Sequence, residues 1–571
     1  MTSDLKKVWF ILTPSERSKS ILMMALVVLM AFAETVGVVS IMPFLSVLAR
    51  PEVIHEVAAL KWLYERLAPA DDGRFILMLG LGSIALVVGS SLFKTFTLHS
   101  INRFTYFLRH GISARLLSRY LAQPYEFFLT HNPAELARNT LSEVDQLHGG
   151  LIKPLSQLIA QGAVVLAMVT VLFLYDPWVA IGAAALVAAL YGSIYVLVRK
   201  RLVLTGRARQ EENGARFKAC NEVLGGIKDV KVTGAVEAYQ ARFQAASRGY
   251  SRHQANAETL SQSPLYIVEA VGYTGLITLS LFLIQRSEDI AQVLPVLGLY
   301  GFAAYRILPS AQIMYRGFAQ LKFSSAALDV IYQHLRLPVQ TNPSGTTALR
   351  PTRSIRLEGV KFAYPSTPEK PVFENFNLSV PANTSMGIVG ASGVGKSTLM
   401  DLLLGLLKPQ QGRLLVDDVE VDVSNVASWQ RAIGYVPQHI YLADMSVAEN
   451  IAFGVPRGQI DIRAVEDAAR LAQIHDFVLT DLPRGYDTPI GDRGVRLSGG
   501  QRQRVGIARA LYRDPPVLFM DEATSALDSE AEAAITEAIG VLSSLKTVVV
   551  IAHRKTSLGF CDQVQHLGTE R

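Results

Sequence analysis

The chain has 571 residues, half of them hydrophobic and only 18% charged, a balance unusual for a soluble protein and a length that suits two or three domains. The net charge of +6 does not collect into one stripe or tail, which argues against nucleic acid as a partner. Cys220 and Cys561 stand far apart without metal-type spacing, so neither a disulfide framework nor a zinc site is supported.

Apolar runs long enough to cross a bilayer all lie before about residue 310, and the rest alternates short apolar stretches with Gly, Pro and charge. Two domains are expected, at 1–335 and 354–571, with a linker at 336–353 marked by Pro338, Pro343, Gly345 and Pro351. At the start, Leu5, Val8, Trp9 and Leu12 share one helical face beside Lys6 and Lys7, as in a helix lying in a membrane interface. Spans are predicted at 20–48, 75–98, 150–175, 177–198, 262–284 and 290–310. The first has too long an apolar run for a cleaved signal, includes Glu34, and is expected to be retained. After it, Val53 to Leu67 reads as a short external amphipathic helix, either a substrate feature or a cap on helix ends.

The segment after the second span carries Arg103, Arg109, Arg115, Arg119 and Arg138, and that after the fourth opens with Arg199, Lys200, Arg201, Arg207 and Arg209. Positive charge of this kind marks cytoplasmic loops, so both termini are expected in the cytoplasm. Both loops keep helical apolar spacing, which predicts that the membrane helices continue well beyond the bilayer. The pattern breaks at Gln123-Pro124 through Asn132-Pro133 and at Gly225-Gly226, where short crosswise helices are placed to touch the second domain. Glu34, Lys94, Glu269 and Arg306 fall within spans, where charge is costly, and are candidate pathway residues or members of interhelical ion pairs. Lys94 and Arg306 together suit a phosphate-bearing headgroup.

In the second domain a buried strand, Ser385 to Val389, leads into Gly390, Ala391, Ser392, Gly393, Val394, Gly395, Lys396 and Ser397, followed by an apolar helix from Thr398. This is a phosphate-binding loop in its strand-and-helix setting. Its glycines let backbone N–H groups curl around phosphate, Lys396 meets the β- and γ-phosphates of ATP, and Ser397 offers a hydroxyl to Mg2+. The loop alone does not separate a transporter from a kinase or GTPase. Farther on, the strand Val517 to Met520 ends in Asp521 and Glu522, one suited to hold magnesium through water and the other to polarise the attacking water.

Leu497, Ser498, Gly499, Gly500 and Gln501, shortly before that strand, give the chain its resemblance to the ATP-binding-cassette exporters. The resemblance implies an all-α six-helix transmembrane domain followed by an α/β ATPase domain. It implies head-to-tail cassettes in a homodimer, with Ser498 and Gly499 of one binding ATP held by the other. Tyr364 in Phe-Ala-Tyr-Pro matches the adenine-stacking aromatic, Gln438 in Tyr-Val-Pro-Gln the glutamine that contacts magnesium, and His553 in Ile-Ala-His-Arg the histidine that grips the γ-phosphate. Asp528 in Ser-Ala-Leu-Asp and the stretch from Thr488 to Gly494 also match. The chain stops soon after Cys561-Asp562, which puts the cassette's last packing elements in doubt.

Residues 32–44, Phe-Ala-Glu-Thr-Val-Gly-Val-Val-Ser-Ile-Met-Pro-Phe, and 305–310, Tyr-Arg-Ile-Leu-Pro-Ser, are similar to bacterial lipid-linked oligosaccharide flippases. That likeness implies an undecaprenyl-pyrophosphate-linked glycan flipped outward across the inner membrane. Export of another lipid, a peptide or a drug stays open, as does a membrane-anchored regulatory ATPase or a gated channel.

Overall fold

The computed structural model describes the backbone of residues 2–571 apart from 176, 287–289, 340–347, 492–493, 524–528, 544, 553–557 and 569–571; within helices some further side chains, Arg306 among them, are not described. The chain divides into two compact units, residues 1–121 with 131–338, and residues 122–130 with 339–571.

The first unit is helical throughout. Helix α1 (Thr2–Ile11) precedes α2 (Pro14–Val39), and the first span then breaks at Ser40 before α3 (Ile41–Ala49). Pro43 explains the break, since its ring would clash with the carbonyl four residues back, at Val39. The expected single span of 20–48 is therefore two helices. Two short helices follow, α4 (Val53–Glu56) and α5 (Ala58–Leu67), and Ile54 and Leu60 bury themselves against Val47 and Phe75. The amphipathic segment thus packs on the ends of its neighbours.

Helix α6 (Asp72–Leu121) has 50 residues. At 1.5 Å per residue it is about 75 Å long, more than twice the roughly 30 Å hydrocarbon core. After α7 (Tyr125–Thr130), Asn132 caps α8 (Pro133–Arg138) by accepting from the Ala134 N–H at 2.9 Å, with Pro133 at the first helical position. The helix continues through two π-helical turns, Asn139–Glu143 and His148–Ile152, that flank α9 (Val144–Leu147), and into α10 (Lys153–Tyr175). Helix α11 (Pro177–Gly225) has 49 residues and ends where the glycine pair stands. Then come α12 (Ile227–Val232), α13 (Val236–Gln262), α14 (Pro264–Arg286), α15 (Ile290–Phe323) and α16 (Ser325–Leu335). Among the described residues, four stretches are long and apolar enough to cross a bilayer: Pro14–Gly37, Asp72–Leu121, Pro133–Leu174 and Ala180–Gly225. Helices α14 and α15 occupy the last two expected spans.

The helical extensions are joined by buried polar contacts. Glu143, fully buried, pairs with Arg209 of α11 at 3.3 Å and accepts from Asn213 Nδ2 at 3.3 Å. Gly150 lets the chain approach closely, because a Cβ there would lie 1.9 Å from Ser324 Oγ. Helix α1 docks on α16, with Lys7 bonded to Asp329 and Phe10 edge-on to Tyr332 at 5.2 Å. The Lys7–Phe10 stretch, expected to lie in the membrane interface, therefore has a protein partner.

The second unit holds two sheets. The antiparallel one has the order β2-β1-β4-β5, from β1 (Ser354–Phe362), β2 (Phe373–Pro381), β4 (Gln411–Val416) and β5 (Val419–Glu420). The parallel one, β6-β7-β8-β3-β9, comprises β3 (Ser385–Gly390), β6 (Ile433–Val436), β7 (Val517–Asp521), β8 (Thr547–Ile551) and β9 (Gln563–Leu567). Alternating residues of its central strands feed two cores. Leu518, Met520, Val548 and Val550 face a core shared with α19 (Val447–Ile451), α20 (Ile462–Leu471), α21 (His475–Thr480) and α22 (Gly499–Leu511). Val517, Phe519, Val549 and Ile551 face the other, with the antiparallel sheet, α17 (Lys396–Leu403) and α18 (Val426–Gln430). The residues after Asp562, whose role the sequence left in doubt, supply β9 beside β3, and Asp562 accepts from the N–H and hydroxyl of Ser385, each at 2.8 Å.

Helix α7 belongs to this unit, and Glu126 accepts from the Lys408 N–H at 3.3 Å. Asp417 clasps the start of the domain. Partial burial alone would raise its carboxyl, but the N–H groups of Ser354, Arg353 and Thr352 pull it down to about 2. A carboxyl depressed in the folded state contributes stability that is complete above about pH 4 and lost as pH falls through about 2. Replacing Asp417 with Asn keeps a residue that tolerates its left-handed backbone, φ +55, but removes the charge. Thermal unfolding of D417N should show a loss of about 1 kcal/mol at pH 7, after allowance for solvent screening, and progressively less as pH falls below 4.

Candidate active site

The phosphate loop joins β3 to α17. Gly395 adopts φ +103, and a Cβ there would lie 2.6 Å from Val372 Cγ1, so the turn into the helix admits only glycine. Ser392, Gly393 and Ser397 are exposed along the loop, whereas Thr398 is buried. Lys396 is only 7% exposed, and its Nζ donates to the carbonyls of Gly390 at 2.8 Å and Ala391 at 3.0 Å. Among the described residues no carboxylate pairs with it. A buried ammonium answered only by neutral carbonyls lacks an anion, and the loop around it offers the place for one.

The acidic side of the site is built by β7. Asp521, 7% exposed, ends that strand, and Glu522 follows in the left-handed region at φ +49. Such a conformation costs on the order of 1–3 kcal/mol in a non-glycine residue and persists where its surroundings hold it. Here the Glu522 N–H donates to Ile551 O at 3.0 Å, and Gln503 Nε2 donates to the Glu522 carbonyl at 3.2 Å. Gln438 Nε2 donates to the Glu522 carboxylate at 2.8 Å. Two positions 84 residues apart, each singled out in the sequence, thus meet.

Tyr364 directs its hydroxyl to the Thr398 hydroxyl at 2.9 Å, and its ring stands edge-on to Phe362 at 5.1 Å. Gln410 brackets the preceding residue, accepting from the Ala363 N–H at 2.9 Å and donating to its carbonyl at 2.7 Å. Ser498 caps α22 in a reciprocal box: its hydroxyl accepts from the Gln501 N–H at 3.2 Å, and Gln501 Oε1 accepts from the Ser498 N–H at 2.8 Å. The N–H groups of Gly499 and Gly500 open the helix without intrahelical acceptors, as anion donors would. Thr488 and Ile490 are pinned to the segment before α19: Val447 N–H donates to Thr488 O and Ile490 N–H to Met445 O, both at 3.1 Å.

Two residues that the sequence reading passed over belong to this site. Gln503 supports Glu522, and its place two residues past Gln501 on an inward helix face was the available signal. Asp401, on α17, is pushed up to about 6, first by burial and then by the charge of Asp521. Nothing local marks it, because its effect comes from a strand far along the chain. His553, Asp528, Asp492 and Arg493 lie outside the described residues. In the helical unit, Lys94 pairs with Glu34 at 2.6 Å, the latter 7% exposed, while Glu269 is half-buried and the Arg306 side chain lies outside the described residues.

Residues 373–525 match the family model described as ABC transporter, and residues 19–294 the one described as ABC transporter transmembrane region. An ATP-dependent lipid A-core flippase of Chromohalobacter salexigens is 32% identical over 467 residues, covering 80% of this chain and 78% of the relative. The chain is an ABC exporter. A flippase of the same description from Cupriavidus metallidurans is 31% identical over 457 residues, 79% of this chain and 75% of the relative. The solved structure of a bacterial Atm1-family ABC exporter with ATP bound shares the fold with a TM-score of 0.77 at 22% identity, covering 96% and 93% of the two chains. The exporter therefore fuses a helical transmembrane region to an ATPase domain that binds ATP and couples its hydrolysis to transport.

Two outcomes follow. Because Lys396 is a buried charge without a counter-charge among the described residues, K396M should leave the unfolding midpoint of the nucleotide-free exporter unchanged or raised, yet abolish the upward shift that ATP gives the parent. In the membrane region K94Q removes the cationic partner of the buried Glu34 carboxylate, so it should lower the yield of folded exporter more than the paired change E34Q/K94Q does, as read by size-exclusion chromatography.

Proposed function

We propose that the exporter works as a homodimer in a bacterial inner membrane, with both termini and the ATPase domains cytoplasmic, and flips a lipid-linked oligosaccharide of the undecaprenyl-pyrophosphate type outward. The observation that carries a lipid cargo is the identity of about a third, running through both domains, to proteins named as ATP-dependent lipid A-core flippases. The likeness of residues 32–44 and 305–310 to lipid-linked oligosaccharide flippases favours the oligosaccharide form. The names of those relatives favour a second reading, lipid A-core itself.

One chain carries one phosphate loop and one Ser498–Gln501 signature, and within the domain these are built on different cores. In the proposed dimer Lys396 and the loop amides hold the ATP phosphates, and Ser498 and Gly499 of the partner subunit face the γ-phosphate. Ser397, Gln438 and Asp521 present a hydroxyl, an amide oxygen and a carboxylate, a hard-oxygen set that suits Mg2+. That ion, when bound, neutralises charge on the phosphates. Glu522 takes the proton of the attacking water. Its bond to Gln438 ties the base to the segment that holds the ion, so one displacement moves both. Tyr364 is assigned to adenine and His553 to the γ-phosphate. Glu34, Lys94, Glu269 and Arg306 remain the substrate-pathway candidates, Lys94 and Glu34 as a pair.

General-base removal costs about 10²–10⁴-fold, so E522Q should lose turnover by that factor while still binding ATP; undiminished hydrolysis would remove Glu522 from the role. The cargo is tested by reconstitution into proteoliposomes with undecaprenyl-pyrophosphate-linked oligosaccharide, lipid A-core, a phospholipid and a drug. ATP-dependent translocation of the first alone is expected. Movement of only the drug or the phospholipid overturns the reading.

A further inference from the structure

We propose that the exporter has a headgroup site at one end of its membrane helices, where Lys153, His148, Arg109 and Arg316 receive the diphosphate of a membrane amphiphile. The inference rests on the lipid-phosphate reading of the cargo and names a place for it that the span charges do not. A cavity of about 520 Å³ lies within the helical unit, lined by residues of α6, α10, α15 and the π-helical turn His148–Ile152. Its volume falls within the roughly 300–1,000 Å³ of small-molecule sites.

Three cations, Arg109, Lys153 and Arg316, line it against one carboxylate, Asp145. Arg109 is bonded to Asp145 at 2.5 Å, and Arg316 to Glu258 at 2.7 Å, pairs that are 40% or more exposed on both sides and exchangeable for a stronger anion. Lys153 makes no ion pair among the described residues. His148 is 4% exposed, its ring lies 4.5 Å from that of Tyr106, and its Nε2 has no hydrogen-bond partner. A buried ring nitrogen left unanswered beside an unpaired ammonium is a cost the fold carries without return unless a ligand supplies the missing group.

The backbone brings these two together. An α-helix sets positions five apart well round its axis, whereas a turn closed from i to i+5 returns them to one side. His148 opens the π-helical turn and Lys153 directly follows it. Phosphate suits the set: lysine offers a point charge and the arginines a two-pronged donor face. Tyr106, Gln157 and Gln320 add groups that hydrogen-bond sugar hydroxyls. Along the chain, Lys153 stands where the apolar run of α10 begins, and Arg109 and Arg316 stand past the apolar runs of α6 and α15. The cavity is therefore placed for a headgroup whose tail remains in hydrocarbon.

The test is binding of a fluorescent polyprenyl diphosphate to the purified full-length exporter in detergent, read by anisotropy. Saturable binding is expected, weakened about tenfold or more by K153Q and restored to within about threefold by K153R. R316Q, weakened likewise, serves if K153Q folds poorly, with the unfolding midpoint as control. Competition by inorganic diphosphate would assign recognition to the phosphates alone. Binding that persists without such competition would assign it to the lipid-borne group. Equal affinity of K153Q and R316Q with the parent, or equal binding of the uncharged polyprenol, would overturn the site. Glycolipid translocation alongside unchanged K153Q binding would sink the cavity and spare the flippase reading; Lys153-dependent binding without translocation would do the reverse.

Discussion

Hydrocarbon leaves no water for backbone N–H and C=O groups, and that constraint decides the first half of this molecule. Each span must satisfy its own backbone, so it is a helix, and a helix once started continues until something stops it. In α6 and α11 nothing does for 50 and 49 residues. The stops are chemical: Pro124 after α6, and Gly225-Gly226 after α11. Beyond the bilayer these rods no longer have lipid to hold them. Aliphatic packing continues there through Leu108, Ile112 and Leu116 of α6 and Leu202 of α11, and the buried Glu143–Arg209 pair with Asn213 is added to it. Such a pair contributes little net stability, but losing one partner is expensive, so it fixes which helices lie side by side.

The ATP site works by a different economy of chain. A parallel sheet delivers its strand ends to one edge, and the loop after β3 and the acids after β7 meet there because of strand order. Gln438 joins them from the end of β6. The hydrogen bond between Gln438 and Glu522 is therefore more than a local contact, since it ties together two strand-end segments 84 residues apart in sequence. Glu522 is held in a left-handed backbone by Ile551 and Gln503, which aims a flexible side chain from a rigid point.

Much of this was legible in advance, for reasons that differ by residue. The phosphate loop, Asp521, Glu522 and the signature are local patterns whose meaning lies in spacing, and β3 and β7 were marked by runs of apolar residues. The helical overshoot was legible because its apolar spacing does not end where hydrophobicity ends. The break at Ser40 was missed although Pro43 announces it, because the apolar run masks it. Asp401, Gln503 and the π-helical turns were not legible. The first two acquire their roles from strands far away in sequence, and a π turn leaves no residue signature of its own. Docking of α1 on α16 depends on contacts more than 300 residues apart, which no local period encodes.

The alternation along β7 and β8 has a consequence for how this domain tolerates change. Phe519 and Met520 are neighbours in sequence yet answer to different cores, whereas Leu518 and Val548 are 30 positions apart and share one. Substitution effects should therefore add between covalent neighbours and fail to add between distant residues on the same side. A lineage could repack the helical half, which meets the signature, while leaving the nucleotide-holding half untouched, and one shared sheet would carry both histories.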